Sequence, residues 1–251
     1  IVGAAWLPWA WAAVRRGLGS RARPWHLAVA AASLTAILLG GEPQSFAVGC
    51  ALVVLEVAFH RPWRRGRRAR LAVLGLVPTS AALGLLAWVP TLLEARVTHR
   101  VAPMGLAEAL GWALRPADAL GLVLPGVLEQ PVRPGTNLLE VLHGAERAGA
   151  WNASLYVGAL LLAAALVAGL SGRVRSAFVV FVLGALVSLG EATPLLPALL
   201  QLVPPLALFR YPAKYLLVTT LAAAICGASV LDSARRGRRV RRVLLGALGV
   251  S

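Results

Sequence analysis

A chain of 251 residues has room for one or two soluble domains, yet 59% of it is apolar, only 14% is charged and its mean hydropathy is +0.75. Too few polar residues remain to cover a water-facing surface, so the composition excludes an ordinary soluble fold and implies helices faced by lipid. The formal net charge of +15 invites a nucleic-acid reading, but the arginines stand in short clusters between long apolar runs, the pattern of cytoplasmic loops rather than of a phosphate-binding face.

Residues 1–14 are apolar and read as the end of a spanning helix, with Trp6, Trp9 and Trp11 suited to an interface belt. A basic cluster follows at Arg15, Arg16, Arg21 and Arg23. A span over 26–40 ends at the polar turn Gly40-Gly41-Glu42-Pro43-Gln44-Ser45, built of helix-stopping residues, and 46–59 returns. The densest cluster comes next: Arg61, Arg64, Arg65, Arg67, Arg68 and Arg70. The run 71–93 is long enough to cross a hydrocarbon core of about 30 Å at 1.5 Å per residue, and Pro78 is expected to kink it.

From residue 94 to about 150 the character changes. Acidic residues gather at Glu94, Glu108, Asp118, Glu129, Glu140 and Glu146, among prolines and glycines. This reads as a long loop over about 95–152 carrying short amphipathic helices at 104–114 and 117–124, and such loops are more often functional than idle. Residues 155–170 cross back, Arg173 and Arg175 form a basic turn, and 177–189 cross outward. The apolar stretch that follows is broken by Pro194, Pro197, Pro204 and Pro205, so an interfacial or re-entrant segment is expected over about 191–212. The last clean span, 213–231, runs into Arg235, Arg236, Arg238, Arg239, Arg241 and Arg242, with a further apolar run from Val243.

If every span crosses once, the basic clusters beginning at 15, 61, 173 and 235 share one side and hold eighteen of the 25 basic residues. The other side holds Arg96, Arg100, Arg115, Arg133, Arg147, Arg210 and Lys214, with every acidic residue except Glu56 and Asp232. That alternation is the positive-inside bias. The expected fold is therefore all-α: a polytopic transmembrane helix bundle, one transmembrane domain over 1–251, with a long extracytoplasmic loop. The expected location is the bacterial cytoplasmic membrane, in the cell envelope. Because the chain opens on Ile1 and its single Met is Met104, a fragment is expected.

Signals for chemistry are sparse. Cys50 and Cys226 sit in apolar runs as small hydrophobes, neither a disulfide framework nor a metal site is indicated, and no cofactor motif is present. His99 and His143 read as solvated loop residues. The most informative stretch is Phe209-Arg210-Tyr211-Pro212-Ala213-Lys214-Tyr215. Pro212 suits the first turn of the last span, and Arg210 and Lys214 share a face if that helix begins early. Two cations at an outer helix N-terminus, where the dipole is already positive, would form a lipid-phosphate or pyrophosphate site; snorkelling to headgroups, with Tyr211 and Tyr215 in the belt, is the competing explanation. Glu42 and Gln44 offer a polar outer turn, and Arg96 and Arg100 a second anion contact or a pair of interfacial anchors. Glu56 lies inside a span but near Arg61, which reads as an ion pair at the cytoplasmic interface.

The order of these segments resembles YfhO-type membrane proteins. The resemblance rests on Gly41-Glu42-Pro43-Gln44, Leu114-Arg115-Pro116, Leu124-Pro125-Gly126, Tyr156-Val157-Gly158, Gly190-Glu191-Ala192-Thr193-Pro194, and Pro204 through Tyr215. It covers about 40–232 and implies the GT-C superfamily of membrane glycosyltransferases, which transfer sugar from a polyprenyl-phosphate donor on the extracytoplasmic face. It further implies a catalytic acid in a first outer loop, expected here before Ile1, so no catalytic residue is named. Arg210 and Lys214 match the family's basic element, and Glu42 and Gln44 its polar turn. The expected partners are membrane lipids and a polyprenyl-phosphate-linked sugar, with no nucleic acid. The alternatives are a lipid or polymer transporter, which calls for ionisable residues at mid-membrane, and a non-catalytic membrane assembly protein.

Overall fold

The computed structural model of the protein describes residues 3–19, 22–60, 67–95, 109–110, 113–143, 156–172, 174–209 and 211–236. The chain is mostly helical and divides into two compact units, residues 1–103 and 104–251.

In the first unit a 3-10 turn, Gly3–Trp6, leads into α1 (Leu7–Leu18), followed by α2 (Pro24–Leu39), α3 (Pro43–His60) and α4 (Arg67–Ala95). Proline opens α2 and α3, where its missing N–H would have had no helical partner. At the start of α2 the Arg23 N–H donates to His26 Nδ1 at 3.0 Å. At its end, Gly41 adopts φ +76°, the left-handed closure that glycine tolerates, and the Gly41 N–H donates to the Leu38 carbonyl. Trp88 Nε1 of α4 donates to that same carbonyl at 2.7 Å, binding an oxygen the helix end leaves over.

Neighbouring helices alternate in direction. Gly17 of α1 lies against Leu27 and His26 of α2, while Gly3, at the other end, lies against Gly40 and Glu42. Ser80 of α4 donates to Ala31 of α2, and Gly84 packs on Leu38. The arginine-bearing end of α1 and the His60 end of α3 thus fall together, and the Glu42 turn falls at the opposite end. Helix α4 continues through Pro78 and Pro90 as one element, and Ser80 Oγ donates to the Leu76 carbonyl at 2.7 Å.

In the second unit, the 3-10 turn Pro116–Asp118 and α5 (Ala119–Val123) occupy the expected short second helix. Most of the expected helix at 104–114 lies outside the described residues. A two-stranded antiparallel hairpin, β1 (Pro131–Arg133) with β2 (Thr136–Asn137), was not anticipated. Gly135 at φ +76° turns it, and α6 (Leu138–His143) follows.

Three helices carry the rest: α7 (Ala159–Ser171), α8 (Arg175–Ser188) and α10 (Leu216–Arg236), with α9 (Leu195–Leu202) between the last two. Gly169 of α7 faces Phe178 of α8, Gly184 of α8 faces Thr219 of α10, and Gly227 of α10 faces Leu161 of α7. Ala165, Ala168, Ala177, Ala222, Ala223 and Cys226 are fully buried along these seams. Helix α9 rests its Leu196 and Leu200 on Val187, Ala109 and Leu110, with Tyr215 packed alongside.

Among the described residues, two helical stretches are long and apolar enough to cross a membrane, Pro43–His60 and Pro212–Arg235. In their most apolar 18-residue windows, 28% and 44% of the residues are buried. Shorter apolar helices are Pro24–Leu39, Ala159–Ser171 and Arg175–Ser188, and the 29-residue α4 holds the apolar stretch Val73–Leu86. Glycine turns at Gly40-Gly41 and Gly172 cut two of them at lengths of about 20–24 Å.

Candidate functional site

The polar turn at Glu42 is held from both sides. Ser45 Oγ donates to Glu42 Oε2 at 2.8 Å, the Glu42 N–H donates to the Ile37 carbonyl, and Phe46 N–H closes onto the Glu42 carbonyl. Gly3 presses on the turn so closely that a Cβ there would lie 2.8 Å from the Glu42 Cβ, and a Cβ on Gly40 would lie 3.0 Å from the Gly3 Cα. Glu42 and Gln44 are both half-buried. This is a carboxylate fixed at the mouth of α3 by its own turn and by α1.

The stretch after α9 is strained where the sequence placed a cation pair. Tyr211 has φ +65°, the one positive φ outside glycine among the described residues, which for a bulky side chain carries a cost of roughly 1–3 kcal/mol. That backbone lets the Lys214 Nζ lie 5.4 Å from the centre of the Tyr211 ring, a cation–π contact. Residues Pro212–Tyr215 form a 3-10 turn and the α-helix begins only at Leu216. The helix therefore does not begin early, and the condition for Arg210 and Lys214 to share a helical face is not met. Arg210, Arg96 and Arg100 lie outside the described residues. Glu42 and Gln44 belong to the first unit and Lys214 to the second, and each is described within its own unit.

In the loop region, Asp118 is buried and its Oδ2 accepts the Arg115 N–H at 2.8 Å, while Arg115 reaches the Leu142 carbonyl at 3.5 Å. Both the Val157 and Gly158 N–H groups donate to the Leu122 carbonyl at 3.1 Å, joining the entry to α7 to α5. These contacts account for the Leu114-Arg115-Pro116 and Tyr156-Val157-Gly158 segments as local fasteners.

The most polar buried cluster surrounds Glu56, which the sequence marks as an ion-pairing residue without indicating Trp11, Arg15 and His60 as its partners. Glu56 of α3 has 0% exposure. Its Oε1 accepts the Trp11 Nε1–H at 2.7 Å and lies 3.8 Å from Arg15 Nε. His60 Nδ1 lies 3.0 Å from both the Glu56 carbonyl oxygen and Oε2, so that nitrogen, facing two acceptors, carries the proton. The hydrogen bond goes to the carbonyl; Oε2 has the ion-pair contact but accepts no hydrogen bond, and Arg15 Nη1 is buried without a partner.

Arg61 lies outside the described residues; among the described residues Glu56 meets Arg15, Trp11 and His60. Trp11, expected in the interface belt, is 1% exposed because its indole N–H is this carboxylate's donor; Trp6 and Trp9 remain exposed. The spacing held the clue. Trp11 and Arg15 are four apart on α1, and Glu56 and His60 four apart on α3, so each pair shares a helix face. Along the same seam, beside Trp11, Gly49 and Leu52, the packing leaves no room for a water molecule.

Among the described residues no three His, Cys, Asp or Glu side chains gather as metal ligands do. Searches against protein-family models, curated proteins and solved structures find no match to this chain.

Proposed function

We propose that this chain belongs to a multi-pass helical protein of the bacterial cytoplasmic membrane, of the GT-C glycosyltransferase type. In this reading it binds a polyprenyl-phosphate-linked sugar and serves its transfer on the extracytoplasmic face. Two helices of sufficient length and apolarity support the membrane part. So do exposed leucines of other helices, with Leu86 77%, Leu160 76% and Leu170 90% exposed. The antiparallel packing within each unit supports the alternation of basic and acidic ends, and hence basic loops in the cytoplasm.

One observation carries the donor site: a left-handed Tyr211 that holds the Lys214 ammonium over its ring at the mouth of the apolar stretch 212–235. Backbone strain kept at a non-glycine residue is characteristic of ligand clamps. A cation at the positive end of a long helix is arranged to meet a phosphate. Arg210, next in sequence to Tyr211, supplies a second positive charge in this reading. The residue that deprotonates the acceptor is not assigned.

The test uses the full-length protein in vesicles with a polyprenyl-phosphate sugar as donor. Arg210→Ala combined with Lys214→Ala should lower transfer by tenfold or more, on the order of the loss of one transition-state contact. Transfer equal to wild type would remove the site. Protein that binds the loop 95–150 to a partner, with no transfer by either form, would instead support an assembly role.

A further inference from the structure

We infer that Glu56 is a positioning residue that sets the axial register of α1 on α3, and that α1 carries this setting to the Glu42 turn at the opposite end of the unit. The inference goes beyond the glycosyltransferase reading and does not require it.

The observation begins with the two ends of α1. At one end, Trp11 and Arg15 converge on a single carboxylate with no exposure, at 2.7 and 3.8 Å. At the other, Gly3 lies against the backbone of Gly40 and the side chain of Glu42, so close that a Cβ would not fit without displacement. Across the 3-10 turn and α1 these contacts are roughly 20 Å apart, at about 2.0 and 1.5 Å per residue. Between Gly3 and Arg15 no other residue lacks a Cβ. A slip of one turn, about 5.4 Å, therefore fails at both ends. It removes Trp11 or Arg15 from Glu56, leaving a buried carboxylate underserved, and it brings a side chain into the place of Gly3. Each end selects the same register.

The clamp is polar rather than merely tight. Apolar contacts between helices are tolerant of small slides, whereas a desolvated carboxylate is matched by its donors in one arrangement. Arg15 and His60 are only partly exposed, at 26% and 28%, so solvent replaces little of what Glu56 would lose. Helix α1 continues directly from the 3-10 turn Gly3–Trp6, which joins its basic end to Gly3 through unbroken helical backbone. A change at its basic end is therefore felt where Gly3 supports the turn that holds Glu42.

Hydrogen exchange on the full-length protein in lipid nanodiscs tests this. The reporters are the amides of Gly40, Gly41, Glu42 and Phe46, which donate to Ala36, Leu38, Ile37 and Glu42. Glu56→Leu should speed exchange at this turn by about tenfold, the change produced by roughly 1.4 kcal/mol of local stability. Glu56→Gln, which keeps the oxygen for Trp11 and serves if the leucine variant does not fold, should give a smaller rise of the same pattern, as should Arg15→Ala from the α1 side. Exchange in α4 between Leu76 and Trp88 should not change. Faster exchange confined to residues 11–18 and 52–60, or an equal rise throughout α2 to α4, would overturn the inference. Sugar transfer is a separate readout: its absence in wild type would remove the proposed function and leave this result standing.

Discussion

Both units pack helices through glycines that receive a neighbour's side chain, but the first adds a buried polar seam. The first joins α1 to α3 through a carboxylate that takes a tryptophan N–H, an arginine and a histidine. The second joins α7, α8 and α10 through bare glycines and fully buried alanines, with Gly169, Gly184 and Gly227 each receiving a neighbour's side chain. Small residues allow close approach and dispersion contact, which is how helices associate when lipid removes the hydrophobic drive between them. A buried ion cluster adds little net stability, but it fixes which residues must meet. The comparison teaches that the first unit adds charge to shape at the α1–α3 seam, whereas α7, α8 and α10 meet through shape.

Three substitutions sharpen or break that contrast. The largest effect is expected at Glu56. Replacement by Ala leaves the Arg15 guanidinium without its carboxylate and should cost about 3–5 kcal/mol in unfolding measured in detergent micelles. The pair Arg15→Met with Glu56→Leu should recover most of that loss, since an apolar replacement of both partners is often neutral. If the single and double variants are equally unstable, the seam depends on packing and the contrast fails.

Next comes Gly184→Ala. The added methyl meets Thr219 Oγ1, whose hydroxyl donates to the Tyr215 carbonyl at 3.1 Å, so overpacking should cost about 1–3 kcal/mol in the same measurement. Adding Thr219→Ala should recover part of it. A fully tolerated methyl would show that the second unit is not held by close approach. The smallest effect is expected at Ser80→Ala, which removes hydrogen bonds to the Leu76 and Ala31 carbonyls. Its cost should be about 0.6 kcal/mol, typical of such a bond between membrane helices. A value several times larger would mean that the α2–α4 seam also relies on polar contacts.

Much of the architecture was legible in advance. The helices at 26–40, 46–59, 71–93, 155–170, 177–189 and 213–231 all appear within a few residues, because apolar runs bounded by glycine, proline and arginine satisfy their backbone hydrogen bonds within one helix. Helix ends shifted where a cap intervened, as at Pro24 and Pro43. The hairpin at 131–137 escaped because its strands are only three and two residues long, too short for any alternation to register. The candidate site was legible only as chemistry. Glu42 and Lys214 could be singled out as polar groups at helix mouths, but the left-handed turn at Tyr211 and the pressure of Gly3 on Glu42 are properties of contact.

Composition, charge alternation and turn residues by themselves determined that the chain is helical, roughly where its helices lie, and which ends carry arginine. These are local properties, set by solvation and backbone geometry within a few residues. Only the tertiary structure decided that Trp11 turns inward, that Glu56 meets Arg15 and His60, and that glycines at 169, 184 and 227 receive particular side chains. Such pairings join residues up to 66 positions apart. No local pattern distinguishes a tryptophan facing lipid from one facing a buried carboxylate; that is settled when the helices pack and each buried polar group has to find its partner.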